Sequence, residues 1–174
     1  MLKRVTRKSA HGRGRRFAIV ASEYNARFVD AMVKAARQEL TRAGVDQIRV
    51  FRVPGAYEIP VIVSRLARTA VTHNAKNKEP LLGAIICLGV IIRGETAHAA
   101  HIGEAVSRAL MDIQVHYEIP VIHEVLLLEN EAQARARCLS RTHNRGTEAA
   151  QTALAMNQVM YGLGTDEAKT GRCK

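Results

Sequence analysis

Apolar residues along this chain form two kinds of pattern, short continuous runs and longer stretches with helical spacing. The runs predict four strands, at residues 16–21, 47–53, 81–92 and 119–128. The helical spacing predicts five helices, the first after Asn25 and the others near residues 57–70, 96–117, 131–139 and 147–161. The order β-α-β-α-β-α-β-α-α predicts one mostly parallel sheet between layers of helices.

Several element ends carry recognisable signals. Asn25 can cap the first helix, and Gly44 stands where a glycine commonly follows a helix C-terminus. Pro60 is compatible with the second helix only in its first turn. Residues 73–80 are polar and rich in helix-breaking residues, so we expect a loop there rather than a domain boundary.

The third strand is apolar on both faces apart from its two glycines, which is typical of a central strand covered by helices on both sides. We therefore expect a three-layer α/β/α sandwich around a four-stranded parallel sheet. In such sheets, ligands bind beyond the carboxyl ends of the strands. The segments predicted at those ends include SEYN, PGAYE and IIRGETAH, and these are the candidate site.

The chain has 174 residues and a mass of 19.1 kDa, which is the size of one domain. We divide it into a basic tail over residues 1–15, a domain over 16–162 and a C-terminal tail over 163–174. It has no apolar run of ~18 residues that could span a membrane, and no apolar segment follows its basic N-terminus to make a secretory signal. Its three cysteines form no CxxC pair, which favours a reducing cytosol.

The net positive charge is concentrated at the N-terminus. Residues 1–16 contain seven Lys or Arg residues and no acid, so they carry +7 of the formal +10. Such an arm could bind RNA or an acidic partner, although its composition fits a disordered, solubilising tail better. With three Phe, four Tyr and no Trp, the chain lacks an aromatic platform for stacked bases, and we expect no nucleic-acid partner.

The segment GETAH, residues 94–98, follows the third strand and opens the third helix. The amides of Gly94, Glu95 and Thr96 would face out of the helix N-terminus, where the dipole favours an anion such as phosphate. The same dipole favours a neutral imidazole at His98, which makes that ring a candidate acid and base. A capping or packing role for His98 remains the alternative from this stretch alone. Glu95, His98 and His101 also share the helix, but positions six residues apart diverge and no further ligand motif is present, so we expect no metal.

The segment PGAYEIP turns the chain sharply after the second strand. The backbone groups of Ala56 and Tyr57 and the carboxylate of Glu58 suit a heterocycle and a polyol, although a Glu at a helix start also fits helix electrostatics. Tyr24, just after the first strand, offers a flat ring at the same edge. One arginine of the C-terminal third could reach a phosphate, and the candidates are Arg135, Arg137, Arg141 and Arg145.

Five segments together resemble the lumazine synthase family (6,7-dimethyl-8-ribityllumazine synthase), the penultimate enzyme of riboflavin biosynthesis. They are FAIVASEYNARFVDAM, RVPGAYEIP, LGVIIRGETAHAAHIGEAV, IPVIHEVLLLEN and NRGTEAA. The resemblance implies the flavodoxin-like form of the sandwich, to which a neighbouring subunit could add an N-terminal strand. It also implies a transferase without metal or cofactor. That enzyme condenses 5-amino-6-(D-ribitylamino)uracil with 3,4-dihydroxy-2-butanone 4-phosphate and releases phosphate and water.

The resemblance gives a role to each candidate residue. His98 is the proton donor and acceptor. The ribitylamino-uracil lies against Tyr24, Ala56, Tyr57, Glu58, Val90, Ile91, Ile92 and, from the adjacent subunit, His123. The phosphate lies against Glu95, Thr96 and, again from the adjacent subunit, Arg137. Arg145 and Glu148 support the site.

The sequence departs from the family pattern at three places. His123 stands where the family usually has Phe or another apolar residue, and Arg145 replaces a common Lys. Ala99 and Ala100 follow the catalytic His in place of aromatic and acidic residues. These departures keep a second hypothesis open, a binding or storage assembly that holds a flavin-like ligand without turning it over.

The resemblance further implies a cytoplasmic homo-oligomer, because the family builds its sites between the subunits of a pentamer. Some members assemble twelve pentamers into a 60-subunit shell. The eight-residue step from Arg137 to Arg145 lacks the insertion that accompanies free pentamers, which favours the shell. Riboflavin synthase is the further protein partner that the pathway suggests.

Overall fold

The computed structural model describes Gly12, residues 14–73 and residues 81–170. Its four strands are β1 (Arg15–Ser22), β2 (Gln47–Val53), β3 (Leu81–Ile92) and β4 (Val121–Leu128). All three strand pairs are parallel, and the order across the sheet is β2-β1-β3-β4. The predicted four-stranded parallel sheet is therefore confirmed, with β1 and β3 in its centre.

The helices cover both faces of this sheet. They are α1 (Ala26–Arg42), α2 (Ile59–His73), α3 (His98–Tyr117), α4 (Glu131–Ala134) and α5 (Arg145–Thr170). A 3₁₀ turn, Ala56–Glu58, precedes α2, and a π-helical turn, Arg135–Leu139, continues α4. One core layer joins the sheet to α1, α4 and α5, and the other joins it to α2 and α3. This is the predicted three-layer, flavodoxin-like α/β/α sandwich.

The two core layers meet along β3, where residues 83–90 are all buried. Because side chains alternate along a strand, Ile86 and Leu88 pack towards α1 and α5 while Ile85 and Cys87 pack towards α2 and α3. A strand buried on both faces has no polar side, which explains the uninterrupted apolar run in the sequence.

Several predicted element ends are confirmed and others are corrected. Gly44 has a positive φ of 78° after α1, and Pro60 is the second residue of α2. Asn25 directly precedes α1, but its side chain does not cap the helix. It donates instead to the Val90 carbonyl oxygen at 2.8 Å, so a contact between distant segments replaces the local cap.

Two helix limits also differ from the prediction. Helix α3 begins at His98 rather than at Thr96, with Ala97 in the capping position. Helix α5 begins at Arg145 and its backbone continues to Thr170, past the predicted end near residue 161. The glycines at 162 and 164 are compatible with this continuation, because glycine weakens a helix but does not exclude one.

The remaining predictions about segments outside the domain stay predictions. The strand that was predicted to be contributed to a neighbour falls outside the described residues. So do residues 1–11 and 13 of the predicted basic tail (1–15), residues 74–80 of the predicted loop (73–80) and residues 171–174. None of the helices in the described part of the chain is long and apolar enough to cross a membrane.

Candidate active site

The carboxyl ends of β1 and β2 are tied together by backbone hydrogen bonds. The Glu23 amide donates to the Val53 carbonyl oxygen at 2.8 Å, and the Tyr24 amide donates to the Pro54 carbonyl oxygen at 3.2 Å. Because the strands are parallel, both turns lie at the same edge of the sheet. The segments SEYN and PGAYE therefore form one continuous surface, as the sequence predicted.

Gly55 lies where the Tyr24 ring and the Glu58 carboxylate meet. A Cβ atom at Gly55 would stand 2.8 Å from Glu58 Oε2 and 3.4 Å from Tyr24 Cδ2. Both side chains are exposed, Tyr24 to 73%. A flat ring therefore lies beside a carboxylate, which suits a planar heterocycle that carries hydroxyl donors.

The 3₁₀ turn supplies the two candidates next to Glu58. Ala56 is 8% exposed and packs beneath the turn, whereas the Tyr57 side chain is 63% exposed. Ala56 can therefore offer its backbone groups, while Tyr57 projects from the surface of the isolated chain.

The end of β3 joins this surface through Asn25, whose side-chain amide donates to the Val90 carbonyl oxygen. The Val90 side chain itself is buried in the core layer with α1, and Ile91 and Ile92 are half-buried. Contacts from Val90 to a ligand would have to come from its backbone, whereas Ile91 and Ile92 keep some exposed apolar surface.

The segment from β3 to α3 is anchored at its start and open at its centre. The Arg93 amide donates to the Leu128 carbonyl oxygen at 2.8 Å, and its Nε lies 3.2 Å from Glu129 Oε2. Glu95 and Thr96 are exposed, and His98 is the exposed first residue of α3. The backbone amides before α3 and the positive end of the helix dipole suit an anion. The imidazole of His98 lies in the first turn of the same helix.

The other predicted residues lie along β4, at the start of α5 and, for Arg137, in the π-helical turn that continues α4. His123 lies on the edge strand β4 and pairs in register with Cys87, midway along β3. Five residues separate it from the end of β4 at Leu128, a span of about 16 Å in an extended strand. His123 therefore lies five residues before the end of its own strand, but only two residues before the level at which β1 ends, because Cys87 is level with Val20.

The His123 ring contacts α3, where its Nε2 lies 2.9 Å from Ser107 Oγ. Although one side of His123 stays exposed, atoms of α3 bury the rest of the ring. This burial lowers the pKa of His123, and a hydrogen bond to its own backbone offsets part of the effect. The ring is therefore held mainly in its neutral form at neutral pH.

On the opposite face of β4, a charged cluster joins the strand to α5. Arg145 Nη1 donates to Glu148 Oε2 at 2.7 Å, and its Nε lies 3.8 Å from Glu124 Oε2. Burial raises the pKa of Glu124 to about 7; the charges of Arg145 and Arg137 oppose this, and Glu148 adds to it. Burial alone would lower the pKa of Arg145, but Glu124 and Glu148 raise it.

The described residues thus form two groups. The edge group consists of Tyr24, Ala56, Tyr57, Glu58, Val90, Ile91, Ile92, Glu95, Thr96 and His98. The β4 group consists of His123, Glu124, Arg137, Arg145 and Glu148. The hydrogen-bonding partner of the His123 side chain is Ser107 of α3, which is not a member of the edge group.

Comparison with known proteins finds one family match that covers both groups of residues. A family model described as 6,7-dimethyl-8-ribityllumazine synthase matches residues 14–161. A protein of that name from Xanthomonas oryzae pv. oryzae (strain PXO99A) is 42% identical over 147 residues, which cover 83% of this chain and 89% of the relative. Another from Stenotrophomonas maltophilia (strain R551-3) is 41% identical over 150 residues, which cover 85% and 90%.

The chain belongs to the lumazine synthase family. The family match extends over every residue of the edge group and of the β4 group. In the part of the chain that the structure describes, no cluster of three or more His, Cys, Asp or Glu side chains is arranged to hold a metal ion.

The structure adds three contacts that sequence reasoning missed. The Asn25 amide links two strand ends, Ser107 contacts His123, and Glu124 contacts Arg145. Only Glu124 carried a signal in the sequence, since it is an acid inside the apolar run of β4. The other two depend on contacts between distant segments.

Proposed function

We propose that this member of the lumazine synthase family forms 6,7-dimethyl-8-ribityllumazine from 5-amino-6-(D-ribitylamino)uracil and 3,4-dihydroxy-2-butanone 4-phosphate. Family membership over residues 14–161 supports the proposal. The observation that carries it for this chain is the edge group, in which an aromatic ring, a carboxylate, a helix start and a histidine share one edge of the sheet.

Each substrate has a matching part of the edge group. The Tyr24 ring would stack on the pyrimidine, and Glu58 would accept hydrogen bonds from the ribityl hydroxyls. The backbone at Glu95 and Thr96, before the start of α3, would bind the phosphate of the butanone. This arrangement would bring the amine of the uracil towards the ketone carbon near His98.

The chemistry then needs mainly orientation and proton transfer. The 5-amino nitrogen attacks the ketone carbonyl carbon, and loss of water gives an imine. His98 removes a proton from the carbon next to the imine, and the electron pair expels inorganic phosphate from the neighbouring carbon. Loss of phosphate leaves an enol, which takes up a proton at its terminal carbon and loses the hydroxyl proton to become a ketone. The ribitylamino nitrogen then attacks this new carbonyl carbon, and loss of a second water closes the ring. Holding the two substrates together supplies much of the rate acceleration, and His98 moves protons between the steps.

The β4 group would complete the site from a second copy of the chain. Within its own chain the His123 side chain bonds to Ser107 of α3, and part of it is exposed and can meet a second copy. Arg137 is also exposed and would add a charge-assisted contact to the phosphate. We therefore propose a homo-oligomer with shared sites, a pentamer that can build the 60-subunit shell, acting in the cytoplasm beside riboflavin synthase.

The proposal is tested by incubating the purified oligomer with both substrates and following the absorbance of the lumazine product. His98→Ala should slow turnover by about 10- to 1000-fold, in line with general acid–base contributions. His101→Ala is the matched control, because His101 is exposed on the same helix three residues further on, and it should leave turnover unchanged. An intact wild-type oligomer that binds the uracil but makes no product would instead identify a binding or storage assembly.

A further inference from the structure

His123 is held by a side chain with no role in the proposed reaction, that of Ser107. Ser107 lies in the middle of α3, and its Oγ donates to the Gly103 carbonyl oxygen at 2.7 Å. The same oxygen lies 2.9 Å from His123 Nε2, across the contact between α3 and β4. The serine is therefore anchored to its own helix and in turn anchors the imidazole.

One nitrogen of the His123 ring is used within its own chain. Nε2 contacts Ser107 Oγ at 2.9 Å. An imidazole has two nitrogen atoms that form hydrogen bonds. Because Ser107 engages Nε2 and part of His123 stays exposed, the ring can offer its flat, aromatic face to a ligand.

We propose that Ser107 is a positioning residue of the shared site, which holds the His123 ring so that its flat face, rather than a ring nitrogen, meets the heterocycle bound by the adjacent copy. This inference rests on the proposed function. It assigns His123 a stacking role without proton transfer, and it makes the hydroxyl of Ser107 the group that sets the ring plane.

The inference predicts how four variants relate to one another. Ser107→Ala frees the ring and should raise KM for the ribitylamino-uracil by about three- to tenfold, the effect expected for one hydrogen bond, with little change in kcat. Ser107→Thr keeps the hydroxyl and should retain the wild-type KM. His123→Phe keeps a flat ring and should also stay within about twofold of wild type, whereas His123→Ala should lose affinity because base–aromatic contact is lost.

A double variant that combines Ser107→Ala with His123→Phe tests whether Ser107 acts by positioning the imidazole or has a general structural role. If Ser107 acts through the imidazole, Ser107→Ala should have no further effect on KM in a His123→Phe background. An equal rise in KM in both backgrounds would overturn the inference, and so would a KM for His123→Phe as high as that for His123→Ala. Ser107 is exposed on α3, and alanine favours helices, so Ser107→Ala should assemble and melt like wild type.

Crystal structures of wild type and Ser107→Ala provide a readout that does not depend on turnover. We expect one ordered orientation of the His123 ring in the wild type and a rotated or disordered ring in the variant. An unchanged, ordered ring in Ser107→Ala would overturn the inference. A wild-type protein that shows the Ser107–His123 contact but makes no lumazine would refute the proposed function instead.

Discussion

Replacing Glu124 with glutamine removes a carboxylate that is held in a poorly hydrated position. The Glu124 side chain is 15% exposed, and its nearest cation, Arg145, is 3.8 Å away and also hydrogen-bonded to Glu148. A shared and rather distant cation compensates incompletely for the lost hydration of a buried carboxylate. Burial accordingly raises the pKa of Glu124 from 4.5 to about 7.

This pKa fixes both the sign and the size of the expected effect. Between pH 4.5 and about 7 the folded chain binds more protons at Glu124 than the unfolded chain does, so the free energy of unfolding falls as pH rises. At about 1.4 kcal/mol per pH unit, the loss above pH 7 amounts to about 3 kcal/mol at most. The glutamine side chain does not ionise in this pH range. The free energy of unfolding of Glu124→Gln should therefore match that of wild type near pH 4.5 and exceed it at pH 8.

Thermal unfolding at pH 5 and pH 8 measures this difference, with the oligomeric state checked at both. For a chain of this size, about 3 kcal/mol corresponds to a rise in Tm of roughly 6–12 °C at pH 8. Glu104→Gln is the matched control, because Glu104 is 70% exposed and pairs with Arg108 on the surface of α3. That change should alter stability by less than about 1 kcal/mol at either pH. A Glu124→Gln protein less stable than wild type at pH 8 would show that the contact with Arg145 outweighs the burial of the carboxylate.

Two further substitutions test close approaches in the fold and in the site. Gly146→Ala would place a Cβ atom into the backbone of α1 at Met32. Denaturant unfolding should therefore show that the free energy of unfolding falls by about 3 kcal/mol or more. A fall below about 1 kcal/mol would mean that α1 and α5 are less closely packed than the structure shows. Gly55→Ala would displace the Glu58 carboxylate, so kinetics should show a higher KM for the ribitylamino-uracil with a nearly unchanged Tm. An unchanged KM for that variant would exclude Glu58 in its present position from binding the ribityl chain.

The fold was predictable because its signals are local. A strand buried on both faces leaves an uninterrupted apolar run, and β3 begins and ends where that run does. Helix spacing and proline position likewise identified α2. The parallel order then follows from the alternation of strands and helices.

The edge group was predictable for a related reason, since parallel strands bring their carboxyl ends to one edge. The contacts that organise the site were harder to predict, because they join residues far apart in the chain. Asn25 bonds a carbonyl 65 residues away, and Ser107 and His123 are 16 residues apart on different elements. Such pairs depend on strand register and on which face of α3 meets β4. Residue patterns within one segment do not contain that information.

The shared site is tested most directly by mixing two variants, each defective in one part of it. His98→Ala removes the acid and base of the edge group, and Arg137→Ala removes a cation that we assign to the adjacent copy. When equal amounts are unfolded together and reassembled, a site that takes the two residues from different subunits across a head-to-tail interface predicts that random mixing leaves about a quarter of the sites with both residues intact. We therefore predict that the mixture forms lumazine at about a quarter of the wild-type rate. A rate no higher than the mean of the two separate variants would contradict a site built between copies of this chain.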